Sequence, residues 1–155
     1  MDRQLVNCAL GAGIFAADRI SKEIVRRSMK PGERRGKYIQ YIQNRGFALN
    51  RLDDHPKAVQ AGSAAAAAAC LAALAGTALD PQQAESLLET GLVLVAAGGV
   101  SNSIDRIREG YVVDFVSLPA ITPDRRRRGK RTVYNIADFS IFAGTAVIAA
   151  QLLRK

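Results

Sequence analysis

The chain has 155 residues, enough for one domain with a sizeable core, and a formal charge of +8 from 22 Lys and Arg against 14 Asp and Glu. Its two cysteines, Cys8 and Cys70, and its one histidine, His55, have no ligand-type spacing, which argues against a disulfide framework or a His/Cys metal site; the cysteines read as small buried hydrophobes. No GxSxG, HExxH or Walker pattern is present, so a serine-nucleophile hydrolase, a zincin and a P-loop enzyme are all disfavoured.

Along the chain, apolar and charged stretches alternate sharply. The first apolar segment, Leu5 to Ala17, is 13 residues without a charge and ends in "DRISK" (18–22). A polar region follows. In it "EIVRRSMK" predicts a short helix stopped by Pro31-Gly32, and "GKYIQYIQNRGFALNRL" predicts short strands with a turn at Asn44-Arg-Gly46. The second apolar segment, Ala58 to Leu79, is 22 uncharged residues, twelve of them Ala. The third, Leu87 to Ile104, is interrupted only by Glu89, and the fourth runs from Phe139 to Leu153, or from Tyr134 at its widest. About 20 apolar residues are needed to cross the roughly 30 Å of a bilayer interior. Lengths and composition therefore leave two architectures open, four membrane spans or a soluble helical bundle, because Ala favours helix yet is weakly hydrophobic.

Basic residues are clustered, eleven from Arg19 to Lys57 and six from Arg125 to Arg131, which suits anionic partners such as lipid headgroups or nucleic acid. The Arg125–Arg131 run has no aromatic interleaving, so a soluble nucleic-acid binder is the weaker reading.

The informative polar residues lie where apolar segments end. Asn102, Asp105 and Arg106 stand at i, i+3 and i+4, on one side of the last turns of a third helix. Asn135 and Asp138 are three apart at the start of a fourth, and Asp114 follows an extended "GYVV" between them. Consecutive helices run antiparallel, so two acids, two amides and an arginine can meet at one end of the pair. Taken singly, Asp138 reads as a helix N-terminal acid and Arg106 as an interfacial anchor. Taken together they suggest a site, because two neighbouring carboxylates share one proton at neutral pH and can act as acid and base in peptide hydrolysis.

With "GGVSNSIDRIREGYVVDF" (98–115) and "YNIAD" (134–138), supported by "DRISK" (18–22) and "NRGFAL" (44–49), the sequence resembles the signal peptidase II family, the lipoprotein signal peptidases. The resemblance implies an α-helical integral membrane protein. It would have four transmembrane helices, with a small β-cradle and an interfacial helix after the first span. The spans then fall near 3–20, 58–79, 86–104 and 134–153, with a polar β-rich region at 21–57, in a single peptidase domain over 1–155. The implied activity is that of an aspartyl endopeptidase of the bacterial plasma membrane. It removes the signal peptide from diacylglyceryl-modified prolipoproteins just before the lipidated cysteine. By motif position the catalytic pair falls on Asp114 and Asp138, with Asn102, Asp105, Arg106 and Asn135 around it and Asn44, Asp18 and Lys22 at further motif positions. No metal or organic cofactor and no nucleic-acid partner is implied; membrane phospholipids and globomycin-type inhibitors are. The family's active site faces outward, whereas the basic loops here, by the positive-inside tendency, argue for the reverse orientation. A non-catalytic lipid- or lipoprotein-binding relative on the same scaffold is the alternative.

Overall fold

The computed structural model describes residues 3–46, 56–79, 86–119 and 131–154. Four helices carry most of them: α1 (Arg3–Ser28), α2 (Pro56–Leu79), α3 (Ser86–Glu109) and α4 (Ile136–Leu152). Four short strands, β1 (Arg34–Arg35), β2 (Ile39–Asn44), β3 (Val112–Pro119) and β4 (Arg131–Tyr134), form one antiparallel sheet in the order β1-β2-β3-β4. His55 and the basic run up to Lys130 lie outside the described residues.

The expected separate helix after the first span is not seen among the described residues. Residues 21–28 are instead the last two turns of α1, because nothing between Gly13 and Pro31 breaks the helix. Pro31-Gly32 acts just beyond the helix. Gly32 takes φ 87°, and the Glu33 amide donates to the Lys30 carbonyl at 2.9 Å, closing a Pro-Gly turn that sends the chain into β1. The β-rich region is also wider than its expected bounds, since β3 and β4 come from the far side of α3 and complete the sheet.

Polarity is inverted relative to an aqueous globule. Asn7, Asp18, Lys22, Ser101, Asn102, Asp105 and Asn135 are buried, while Leu5, Ile20, Ile24, Leu71, Ile107, Phe142 and Leu152 are exposed. The Gln60–Thr77 and Leu87–Glu109 segments are long and apolar enough to cross a membrane, and α4 is a shorter apolar helix. Helix exteriors that face lipid account for both observations. The cysteines are not core residues as expected: Cys8 is exposed and Cys70 partly so. The apolar core is small and lies where the end of α1 meets the sheet, through Val25, Met29, Tyr41, Val113 and Phe115.

Glycine sets the α3–α4 spacing. A Cβ on Gly98 would stand 2.4 Å from the Ala137 carbonyl oxygen, and one on Gly144 would stand 2.6 Å from the Gly91 carbonyl oxygen. Small residues let helix backbones approach this closely, which is how membrane helices gain packing energy without a hydrophobic drive. The Ser140 hydroxyl adds a 2.6 Å bond to the Leu94 carbonyl. Gly98→Val is expected to lower stability by about 1–3 kcal/mol through overpacking. Gly62→Ala, where a Cβ meets nothing within 4 Å, is expected to change little. Thermal unfolding of the two variants in detergent decides this, and equal midpoints would remove the close contact as the determinant of helix spacing.

Candidate active site

The site forms where four chain segments meet: α1 at Asp18–Lys22, α3 at Ser101–Arg106, the β2–β3 pair, and the start of α4. Asn135 follows β4 directly and is the N-cap of α4, in β-region backbone (φ −129°, ψ 178°). Its side-chain oxygen accepts from the Asp138 amide at 2.9 Å, and the Asp138 carboxylate accepts from the Asn135 amide at 3.1 Å, a reciprocal capping box. The helix-terminal reading of Asp138 is therefore correct as local structure, and it leaves the other carboxylate oxygen free to face inward. That oxygen accepts from the Asn102 side-chain amide at 3.0 Å.

Asp114 reaches the same place from the sheet. Ile42 pairs with Asp114 and Asn44 with Val112, so Asn44 is a diagonal neighbour of Asp114 on one face. The Asn44 amide donates to Asp114 Oδ2 at 2.8 Å, and the Asn135 amide donates to Asp114 Oδ1 at 2.8 Å. Val116 pairs with Tyr134, and continuing that register sets Asn135 opposite Phe115, one residue from Asp114. Asn135 is thus bonded to both carboxylates. Asp114 is 2% exposed. Burial first, and the Asp138 carboxylate second, push its carboxyl up to about 8, against the lowering pull of Asn44, Lys22 and Asn135.

Behind this pair lies a buried charge network. The Lys22 ammonium donates to Asn102 Oδ1 at 2.7 Å and pairs with Asp18 at 2.7 Å and Asp105 at 2.9 Å. Arg19 also pairs with Asp105. Asp18 accepts from the Ser101 hydroxyl at 2.6 Å and from the Ala137 amide, in the first turn of α4, at 2.9 Å. Asp18, Lys22, Ser101, Asp105 and Asn135 are all fully buried.

The residues singled out in the sequence thus divide into groups. Asn102, Asn135 and Asn44 contact one or both carboxylates, while Lys22 and Asp18 stand one contact further back. Asp105 bonds neither carboxylate; it pairs with Lys22 and Arg19 of α1 and accepts from the Val113 amide of β3 at 3.5 Å. Arg106 uses Nη2 to hold the Gly46 carbonyl at 3.0 Å, fixing the turn after Asn44, where the Gly46 amide bonds Asn44 Oδ1 at 3.0 Å. Ser101, Arg19 and Gly46 were not anticipated. Ser101 and Arg19 adjoin motif residues, but their partners lie more than 80 positions away along the chain. Among the described residues no group of three His, Cys, Asp or Glu is placed to hold a metal ion.

Comparisons with known proteins converge on one family. The family model described as Signal peptidase (SPase) II matches residues 10–154. The lipoprotein signal peptidase of Moorella thermoacetica is 32% identical over 145 residues, covering 90% of this chain and 87% of that protein. That of Syntrophomonas wolfei is 31% identical with the same coverage. Among solved structures, a bacterial membrane enzyme superposes with a TM-score of 0.73 at 25% identity, over 97% of this chain and 94% of its own. A second, also a bacterial membrane enzyme, reaches 0.74 at 24% identity and shares the fold. With two carboxylates bridged by an asparagine at the end of an apolar helix bundle, and a match over nearly its whole length, the chain belongs to the signal peptidase II family of lipoprotein signal peptidases.

Proposed function

We propose that this protein is an intramembrane aspartyl endopeptidase that cuts the signal peptide from diacylglyceryl-modified prolipoproteins just before the lipidated cysteine, using Asp114 and Asp138. The observation that carries the reading is the single asparagine, Asn135, bonded to both carboxylates. Asp114 holds the shared proton at neutral pH, since its carboxyl is pushed up to about 8. Asp138, the ionised member, takes a proton from water as the oxygen adds to the scissile carbonyl carbon. Asp114 donates to the carbonyl oxygen and stabilises the tetrahedral intermediate. Asp138 then passes its proton to the leaving amine as the C–N bond breaks, and Asp114 recovers its own from the collapsing diol. Asn102, Asn135 and Asn44 hold the two carboxyl groups in orientation. The place of the pair at helix ends suits a substrate anchored by acyl chains, whose scissile bond sits near the bilayer surface. The site accordingly works at a membrane face, with the four helices as spans and the basic residues of the polar region toward lipid phosphates.

Asp114→Asn and Asp138→Asn are each expected to reduce cleavage of a lipidated prolipoprotein by about 10³-fold or more, the scale of a lost acid or base. The assay is cleavage by detergent-solubilised protein, read by mass, on one prolipoprotein with and without its diacylglyceryl group. An unchanged rate in either variant would remove that residue from the mechanism. Equal cleavage of the unlipidated form would remove the lipid requirement.

The pH profile follows from the proton on Asp114. Its loss as pH rises through about 8 is expected to give kcat/KM an alkaline limb there. A profile flat to about pH 9.5 would contradict this assignment of the proton.

A further inference from the structure

A second cavity lies away from the site. Both α1 and α2 pack on α3, and between them is a groove of 460 Å³, within the roughly 300–1,000 Å³ of small-ligand sites. Its floor is Glu89, Val93 and Val100 of α3, and its walls include Phe15 of α1 and Leu71 and Leu74 of α2. Gly91 and Gly98 press against α4. At 3.6 residues per turn, Glu89 and Val100 lie about 200° around α3 from them. The groove therefore opens on the side of α3 away from α4.

The groove is apolar along its length and acidic at one end. From Glu89 to Val100 is about 16 Å along the helix, long enough to take most of one acyl chain. Glu89 sits in the first turn of α3 and Arg3 at the start of α1, both at the end of the bundle opposite Asn102. Glu89 is 6% exposed, and its Oε2 has no hydrogen-bond partner among the described residues. Arg3 Nε stands 3.9 Å from that oxygen, beyond hydrogen-bond reach, with its side chain half exposed. Among the described residues that oxygen has only this long ion pair and no hydrogen-bond donor, and the half-exposed guanidinium beside it is open to an anion.

We infer that this groove seats one acyl chain of a phospholipid whose headgroup carries both charges, an ammonium placed on Glu89 and a phosphate on Arg3. A phosphoethanolamine headgroup has that pair of charges a few bonds apart. A headgroup with a phosphate and only hydroxyls meets Arg3 equally well but brings Glu89 no ammonium, so the carboxylate discriminates between the two. The bound lipid fills a gap between α1 and α2 and ties both to α3 on the side of that helix away from α4.

The test is native mass spectrometry of the full-length protein in detergent. It is titrated separately with dioleoyl phosphatidylethanolamine and dioleoyl phosphatidylglycerol. About tenfold tighter binding of the ethanolamine lipid is expected, the worth of one hydrogen bond to a charged group. Glu89→Gln is expected to remove the preference while both lipids still bind. Ala12→Phe, on an exposed groove-lining position of α1, is expected to weaken both. Each preference compares two lipids on the same sample, so partial misfolding of a variant cancels. Equal binding of the two lipids by the wild type overturns the inference, and so does a preference that survives Glu89→Gln. Prolipoprotein cleavage is not the readout, so the outcome is independent of the reading given to Asp114 and Asp138.

Discussion

The site is built around one buried ammonium. Lys22 is fully buried, and taking such a group out of water costs several kcal/mol unless every N–H finds an oxygen. Here Asn102, Asp18 and Asp105 supply three within 2.9 Å. Asp18 and Asp105 would be as costly without the lysine as the lysine without them, by about 3–5 kcal/mol for a broken buried pair. The consequence is geometric as much as energetic. Lys22 and Asp18 belong to α1, Asn102 and Asp105 to α3, and the second oxygen of Asp18 holds the Ala137 amide of α4. One charge and its partners thus fix the relative height of three helices at the level of the carboxylate pair.

The same charge decides which way the amides point. An ammonium only donates, so the atom of Asn102 that faces Lys22 must be its oxygen, and the amide nitrogen is turned toward Asp138. For Asn135 the choice is made by the backbone. Its oxygen caps the Asp138 amide, so its nitrogen faces Asp114 and the oxygen of Asn102. Neither asparagine has a free choice of flip. Donors are therefore presented to both carboxylates by groups locked elsewhere, which is what holding a reacting pair in one geometry requires. Asn44 adds the last donor, and it too is pinned, by the Gly46 amide and, through Gly46, by Arg106.

Much of this was legible in the chain because local patterns carry it. The i, i+3 spacing of Asn135 and Asp138 is a capping signature, and the resemblance placed Asp114, Asn102 and Asn44 at motif positions. What was not legible depends on contacts between distant residues. Asp105 stands three residues from Asn102 and yet faces α1, since its side is decided by Lys22 and Arg19 more than 80 residues earlier. Gly144 reads as an ordinary residue of an apolar segment, and Gly98 only as the start of a motif, until two backbones are brought within contact of each other. The separate helix expected from "EIVRRSMK" failed for the opposite reason. A change in polarity at Asp18 does not end a helix when no residue breaks it and the charges find buried partners. Cys8 and Cys70 were misread because burial was inferred from apolar neighbours, a rule that reverses where lipid is the solvent.

An asymmetry between the two carboxylates follows from where each is attached. Asp138 belongs to the first turn of α4, where unpaired amides and the helix dipole favour negative charge, and one of its oxygens is already held by the Asn135 amide. Asp114 sits on an interior strand of the sheet, 2% exposed, with no helix terminus of its own. Its donors are two neutral side-chain amides, while the Lys22 ammonium is committed to Asn102, Asp18 and Asp105. These environments favour the arrangement proposed above, with the shared proton on the strand acid and the charge at the helix N-terminus. On this reading the strand–helix junction at Tyr134–Asn135 does more than bring two acids together. It places them in unlike environments, and a pair that must act as acid and base in the same step needs that difference.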